Sequence, residues 1–361
     1  MVWWRAMRWL RLIGLLALGS TLQSCAMPFY WQAINGQLEL MRKRTPIEEV
    51  LANPNLDAHV KATLERVPEI RRFAAEELLL PRNESYTTYV DLGRPYVVFN
   101  VIATDEFSVN PKRWCYPFTG CVAYRGFFSR ESAERFRRTL ERDGLDTYLA
   151  GATAYSTLGY FADPILSTMV VGGETAIASI LFHELAHQVI YIKDDSALSE
   201  AFATAVEEYG TELWLERNGD EAALERYRRK VQLRLEFSAL VATQQDRLRK
   251  IFAQDLPADE MRAQKAHAYE LMRDDYARLK EAWGGATDYD RWFDQPLNNA
   301  ALASVATYRR WLPTLKAKLR EVGPARFYAE MHELAEMSAI SRELVLESWR
   351  IEPDAGRLAE T

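Results

Sequence analysis

The sequence predicts an α+β protein that is predominantly helical, with a small β-sheet in its first half. Short segments between residues 86 and 170 cluster β-branched and aromatic residues, as strands do. From residue 174 onward, almost every segment has the spacing of an amphipathic helix. The composition, 48% hydrophobic and 27% charged over 361 residues, is that of a globular chain with one large domain or two closely packed ones.

The first residues predict an export signal that ends in a lipidated cysteine. Three arginines precede an apolar run from Leu12 to Leu18, which is far shorter than the ~20 apolar residues that span a bilayer. The following LQSC, residues 22–25, resembles the bacterial lipobox, so we expect a signal peptide over 1–24 and lipidation of Cys25. The alternative is a plain secretion signal with an incidental cysteine.

The net charge of the chain and its predicted location indicate which classes of binding partner to expect. The net charge is −6, and loss of the three leader arginines would make the mature chain more acidic. With no basic run, nucleic acid is not an expected partner. Ala26 follows the cysteine, and resemblance to sorted lipoproteins then implies the periplasmic side of the bacterial outer membrane, with attachment through the N-terminal lipid.

The other two cysteines lie close together in RWCYPFTGC. Pro117 and Gly120 favour a tight loop that brings Cys115 and Cys121 together. In an oxidising compartment we expect this pair to form a disulfide. A metal clip is the alternative, although no histidine or second cysteine pair is nearby.

Periodicity gives the order of the elements along the chain. We predict helices at 57–80 and 129–143, and strands at 86–92, 96–104, 120–128, 146–152 and 164–170. Two long charged helices, 220–254 and 258–283, are separated at Pro257 and are expected to form an antiparallel hairpin with solvated faces. A helical group from Asn298 to Arg350 ends the predicted structure.

The segment FHELAHQ carries the chemistry. On a helix, His183 and His187 lie one turn apart on the same face, which is the separation at which two imidazoles bind one metal ion. Glu184 points to the neighbouring side, where it reaches a metal-bound water without binding the metal. With five histidines in the chain, the motif is expected in fewer than about one such chain in a hundred. The alternative is two buried histidines beside a surface glutamate.

A catalytic zinc needs a third protein ligand and an open fourth position. The segment from Lys193 to Ser196 reads as a turn, after which SEAFATAVEEYG continues as a second helix. By spacing alone, Glu200, Glu207 and Glu208 are all possible third ligands.

Resemblance to known enzymes favours one of these glutamates. HELAHQ followed by SEAFATAVEEYG is similar to the gluzincin aminopeptidases, in which a glutamate of an N-E-G-F-A type motif binds zinc; Glu200 occupies that position. Ser199 and Ala201 replace the usual asparagine and glycine, and no segment resembles the G-A-M-E-N motif of those enzymes.

A second resemblance covers nearly the whole chain. FYWQAINGQLELMRKRTPIEEVL, WCYPFTGCVAYRGFF, AYSTLGYFADPILSTM and LNNAALASVATY resemble, in order, a family of bacterial exported lipoproteins classed as aminopeptidases. The resemblance implies a zincin-like metallopeptidase unit over 25–350 that holds one zinc ion. Within it we expect an N-terminal helix and small sheet (25–173), the zinc-site helices (174–218) and a helical region (219–350), followed by a flexible tail at 351–361.

The expected activity is hydrolysis of a peptide bond, with peptides as substrates. Zinc bound by His183, His187 and Glu200 would activate a water, and Glu184 would act as the general base. Tyr155 and Tyr308 are candidate donors to the oxyanion. Two alternatives stay open: an endopeptidase or amidase of the cell envelope, and a non-catalytic interaction module with a structural metal.

Overall fold

The computed structural model describes residues 27–116, 120–306 and 310–350. Lipidation at Cys25, the oxyanion role of Tyr308 and the tail at 351–361 concern residues outside these ranges. The helices are α1 (Met27–Arg42), α2 (Ile47–Leu51), α3 (Ala58–Glu76), α4 (Arg130–Arg142), α5 (Gly173–Val189), α6 (Ser196–Arg217), α7 (Glu221–Phe252), α8 (Ala258–Ala282), α9 (Asp290–Phe293), α10 (Asn299–Ala306), α11 (Leu312–Glu336) and α12 (Ala339–Ser348). The strands are β1 (Thr45–Pro46), β2 (Thr88–Val90), β3 (Val98–Thr104), β4 (Trp114–Tyr116), β5 (Gly120–Val122), β6 (Arg125–Phe127), β7 (Asp146–Ala152) and β8 (Ile165–Leu166).

Helices dominate the described chain and the sheets are small, which confirms the predicted α+β class. One sheet has the order β6-β3-β7, with β3 and β7 antiparallel over their full length, from Val98 opposite Ala152 to Thr104 opposite Asp146. A second sheet has the order β1-β2-β8, and β4 and β5 form a separate hairpin.

The strand predicted at 164–170 is wrong over most of its length. Only Ile165 and Leu166 pair with β2, and both are fully buried. The amide of Met169 then donates to the carbonyl of Leu166, and a 3₁₀ turn follows at Val170–Gly172. Bonding to β2 ends at the Ser167 amide, which donates to the Val90 carbonyl (2.9 Å), and the backbone beyond it bonds within a local turn.

The largest hydrophobic core lies around α5 and α6, the predicted zinc-site helices. Phe182 of α5 and Phe202 and Trp214 of α6 are among its fully buried side chains. Gly210 allows close packing here, since a Cβ atom at this position would lie 2.4 Å from Leu78 Cδ1. The two helices are therefore fixed by the main core of the molecule.

The long helices α7 and α8 pack against each other, as the predicted hairpin requires. They have a separate core that includes Phe237, Met272 and Trp283. Among the described residues, no helix combines the length and the apolar character needed to cross a membrane.

Candidate metal centre

The turn between α5 and α6 sets the positions of the predicted ligands. Asp195 caps α6 by accepting a hydrogen bond from the amide of Leu198 (3.1 Å), and its other carboxylate oxygen accepts one from Arg342 (2.8 Å). The buried hydroxyl of Ser199 accepts a hydrogen bond from the amide of Ile192 (2.9 Å). These bonds close the turn one residue before Glu200, so α6 returns alongside α5.

The β4–β5 hairpin supports the same turn from outside. A disulfide joins Cys115 and Cys121 across this hairpin. The amide of Cys121 donates to the Asp194 carboxylate (2.9 Å), and Arg113 donates to the Asp194 carbonyl (3.0 Å). Asp194 has a positive φ of 67°, an unusual conformation that these two bonds stabilise.

His183, His187 and Glu200 meet at one point. Their candidate ligand atoms lie within 4.8 Å of one another. The two Nε2 atoms are 3.2 Å apart, and the Glu200 carboxylate oxygens lie 3.3 Å from His183 Nε2 and 3.7 Å from His187 Nε2. Two helices and one turn therefore bring together three donors separated by up to 17 positions in the sequence.

The donor set fits a tetrahedral zinc ion. Two ligand atoms that are each about 2.1 Å from such an ion lie about 3.4 Å apart, close to the three separations measured here. Two imidazole nitrogens and a carboxylate oxygen are also ligands that zinc prefers. Two Nε2 lone pairs that face each other at 3.2 Å require a proton or a cation between them.

Glu207 and Glu208 have roles other than ligand. Glu207 Oε2 accepts a hydrogen bond from His183 Nδ1 (3.0 Å), on the side of the ring away from the ligand cluster. Its other oxygen accepts one from Ser179 (2.8 Å). Glu208 is fully buried and forms ion pairs with Arg234 and Lys316. Because Glu207 keeps the Nδ1 proton in place, Nε2 of His183 is left as the ligand atom.

The carboxylates favour positive charge at this point. Burial opposes protonation of His183, but its hydrogen bonds to Glu200 and Glu207 outweigh that effect and raise its pKa well above the usual range. Burial likewise acts to raise the pKa values of both glutamates, yet the histidine bonds lower them, that of Glu207 to about 2. A bound divalent cation would replace the shared protons.

Glu184 lies in the same electrostatic environment without belonging to the ligand cluster. Burial raises the pKa of its carboxyl group, and the two histidines only partly offset this effect. Nearby Asp163 and Glu200 raise that pKa further. A carboxylate with a raised pKa is a stronger base than an exposed one, which suits it to proton transfer.

Of the two predicted tyrosines, Tyr308 lies outside the described residues, and only Tyr155 can be placed. Tyr155 packs edge-on against Phe128, with ring centroids 5.2 Å apart, and its contacts do not join it to the ligand cluster. The charges of both Glu200 and Glu184 act on Tyr124, whereas Tyr191 is affected by Glu200 and Tyr86 by Glu184. Burial first, and then these charges, raise the pKa of Tyr124, so its phenol stays protonated at neutral pH.

A cavity of about 360 Å³ opens beside the ligand cluster. Polar and apolar side chains from five helices and one loop form its walls: His183, Glu200, Thr204, Glu207, Arg234, Phe237, Ser238, Tyr289, Ser304, Val305 and Leu312. Arg234 lies 3.5 Å from Glu207 and 2.5 Å from Glu208. Of the three candidate ligands, His183 and Glu200 line this cavity.

The prediction that 220–254 has only a solvated face is therefore wrong on one side of α7. Arg234, Phe237 and Ser238 face the cavity. The available signal was an arginine between two leucines in QLRLEF, a charge inside an apolar context. Asn298 is not among the residues that line the cavity; its side chain caps α10 by accepting a hydrogen bond from the amide of Ala301 (3.0 Å).

The chain matches a known protein family. A family model described as "Putative aminopeptidase" matches residues 28–346, which is most of the chain. Comparisons with curated proteins and with solved structures find no match.

Proposed function

The chain belongs to the family described as "Putative aminopeptidase", and from this premise we propose that it is a zinc-dependent hydrolase of peptide bonds with a zincin-like, gluzincin-type site. The observation that carries the proposal is the convergence of His183, His187 and Glu200, whose donor atoms lie within 4.8 Å of one another. These three residues would bind one zinc ion, and Glu207 would orient the His183 ring by accepting a hydrogen bond from its Nδ1.

The chain's own residues supply the acid–base chemistry. A bound zinc ion lowers the pKa of a coordinated water to about 7 and polarises a carbonyl group. Glu184 accepts the proton of the attacking water, and the same carboxyl group then donates it to the leaving amine. Burial of Glu184, which raises its pKa, favours this exchange in both directions.

Tyr124 is the residue that we assign to the oxyanion. When water adds to the scissile carbonyl, its carbon becomes tetrahedral and its oxygen develops negative charge. A protonated phenol beside the site stabilises that oxygen by donating a hydrogen bond. The proximity of Tyr124 to both Glu184 and Glu200 supports this role, as does the raised pKa that keeps its proton in place.

One observation favours a second candidate, an endopeptidase or amidase of the cell envelope. An aminopeptidase needs a carboxylate for the substrate's terminal ammonium group. Among the described residues that line the cavity, the only carboxylates are Glu200 and Glu207. Both are already bonded, Glu200 to the histidines and Glu207 to His183, Ser179 and Arg234. The cavity would then accept a peptide whose amino terminus lies elsewhere.

The proposed setting is the periplasmic side of the bacterial outer membrane. The leader at 1–24 and the lipobox that ends in Cys25 support export and lipidation. Residues 25–350 would form the catalytic unit, and the large core that runs from Leu40 to Leu346 supports treating them as one unit. A disulfide between Cys115 and Cys121 agrees with an oxidising compartment.

Product analysis by mass spectrometry tests the proposal. Paired peptides with free and N-acetylated amino termini are incubated with three samples of the protein. These are the zinc-loaded protein, the protein after a chelator has removed its zinc, and the protein after zinc has been restored. Cleavage of free peptides alone, lost on chelation and regained with zinc, supports an aminopeptidase. Cleavage of both sets supports the endopeptidase. A protein that binds zinc and cleaves neither set would reject the hydrolase and leave an interaction module with a structural metal.

A further inference from the structure

Helix α1 exposes an apolar stripe to solvent. The exposed fractions are 68% for Trp31, 54% for Ile34 and 41% for Leu38, and Tyr30 beside them is 39% exposed. Positions 31, 34 and 38 are three and four residues apart, so these side chains share one face of the helix. Four large apolar side chains on one face are more than a stable surface helix needs.

Contacts on the opposite face of α1 hold the helix in the orientation that exposes these side chains. Gln32 donates to the carbonyl of Gly126 (3.2 Å) and accepts from the amide of Phe128 (3.0 Å), so it bonds to the backbone at β6 on both sides. Gly36 packs directly against the Phe128 ring, where any Cβ atom would lie 2.1 Å from a ring carbon. Leu40 continues the same inward face and is 2% exposed. The helix cannot rotate to bury its stripe without breaking these contacts.

We propose that this stripe binds the surface of a lipid bilayer, with α1 lying in the interface. Tryptophan and tyrosine are the residues that prefer the boundary between acyl chains and headgroups. Arg42 is exposed at the end of the helix, where it can approach anionic headgroups, while the exposed Lys43 beside it forms an ion pair with Glu39. An amphipathic helix with these features binds parallel to the membrane plane.

The position of α1 in the chain argues for a membrane and against other occupants. The helix begins at Met27, two residues after the predicted lipidation site. Two residues span at most about 7 Å, so a lipid on Cys25 would place the first turn of α1 at the bilayer surface. The inference thus rests on the membrane location proposed above.

Vesicle binding without the lipid tests the stripe itself. The chain from Ala26 to Thr361, which contains every described residue, is mixed with vesicles of phosphatidylethanolamine and phosphatidylglycerol, and the bound fraction is measured by co-sedimentation. We expect binding, and we expect the triple variant Trp31→Ser, Ile34→Ser, Leu38→Ser to lower the partition coefficient by about tenfold or more. Thermal melts should be unchanged because the three side chains are exposed.

A second triple variant is the matched control. Val171, Ile340 and Leu344 are 74%, 76% and 68% exposed and lie outside α1. Changing all three to serine should leave vesicle binding as it is. An unmodified chain that stays in the supernatant, or equal binding by the stripe variant, overturns the proposal. The proposal is also overturned if light scattering shows that the unmodified chain and the control variant are dimers and the stripe variant is a monomer. The stripe would then bind a second copy of the chain and not a membrane. Vesicle binding needs no metal, so failure of the peptidase proposal would not affect this result.

Discussion

Glu200 and Glu207 contact opposite nitrogens of the same imidazole. Glu200 faces Nε2 of His183, on the side of His187, while Glu207 accepts from Nδ1. The first contact lies at the proposed metal position, and the second fixes the tautomer and the ring orientation. The two glutamates therefore contribute to metal affinity in different degrees.

Replacing each glutamate separates these contributions. We expect Glu200→Ala to lower zinc affinity more than Glu207→Gln, for which a loss of about 10- to 100-fold is typical of an outer partner. Competition titration with a chromogenic chelator measures both. Glu216→Gln, on the exposed part of α6, is the control and should bind zinc normally. Unchanged affinity in Glu200→Ala would remove this residue from the ligand set.

Tyr124→Phe tests the assigned oxyanion donor. Loss of one such donor costs about a hundredfold in kcat, while KM should change little because the bond strengthens only in the transition state. Steady-state kinetics on a cleaved peptide distinguish the two parameters. Tyr155→Phe, whose contacts lie outside the cluster, should keep normal kcat. A loss in Tyr155→Phe and none in Tyr124→Phe would reverse the assignment.

Among individual residues, the sequence allowed us to predict those whose relative positions follow from local helical spacing. Helical geometry alone puts His183 and His187 on one face, and the structure agrees. Tyr124 could not be singled out among 17 tyrosines, since its position depends on long-range packing against the cluster that contains Ile102 of β3 and Ala300 of α10. The roles of Glu207 and Arg234 depend in the same way on long-range contacts.

Among the elements, the β4–β5 hairpin supports the turn between α5 and α6, the two helices that carry the candidate metal ligands. The disulfide closes the hairpin, and the hairpin bonds to Asp194 through Cys121 and Arg113. Geometry at Asp194 is therefore coupled to that of Glu200, six residues further along the chain.

The variant Cys115→Ser, Cys121→Ser tests this coupling. For a loop this short, the lost cross-link costs about 2 kcal/mol of unfolding free energy. We also expect weaker zinc binding, because the Asp194 turn loses a rigid support. Denaturant unfolding and zinc titration measure the two effects. Reduction of the unmodified protein should reproduce them, and normal zinc affinity in both cases would contradict the coupling.

Elements with strong periodicity were predictable, and short strands less so. The pair of long helices at 220–254 and 258–283 agrees with α7 and α8 to within a few residues, because each has several turns of apolar repeat. The segment 164–170 is rich in strand-forming residues, but most of it has no neighbouring strand to pair with and forms a turn. The tertiary environment has outweighed local propensity there.

For the whole molecule, the metal would connect two helices that belong to the main core. α5 supplies two ligands and α6 the third, and both helices are part of the largest hydrophobic cluster. A cation would also neutralise the buried carboxylates near it. Metal binding should therefore stabilise the entire fold and not just the site.

Thermal unfolding with and without zinc measures this linkage. At a free zinc concentration about a thousand times Kd, binding contributes about 4 kcal/mol of unfolding free energy, which raises Tm by several degrees. Chelation should reverse the shift. The His183→Ala, His187→Ala variant should show no zinc-dependent shift, and an equal shift in that variant would mean that zinc stabilises the protein from another site.

The metal content of Glu184→Gln, measured together with its peptide hydrolysis, tests the central claim most directly. Glutamine has nearly the size of glutamate but cannot accept the proton of the attacking water. We predict about one zinc per chain, as three retained ligands require, and no detectable hydrolysis. Loss of the zinc would make Glu184 a ligand, and hydrolysis at the unmodified rate would show that it is not the base; either result contradicts the account.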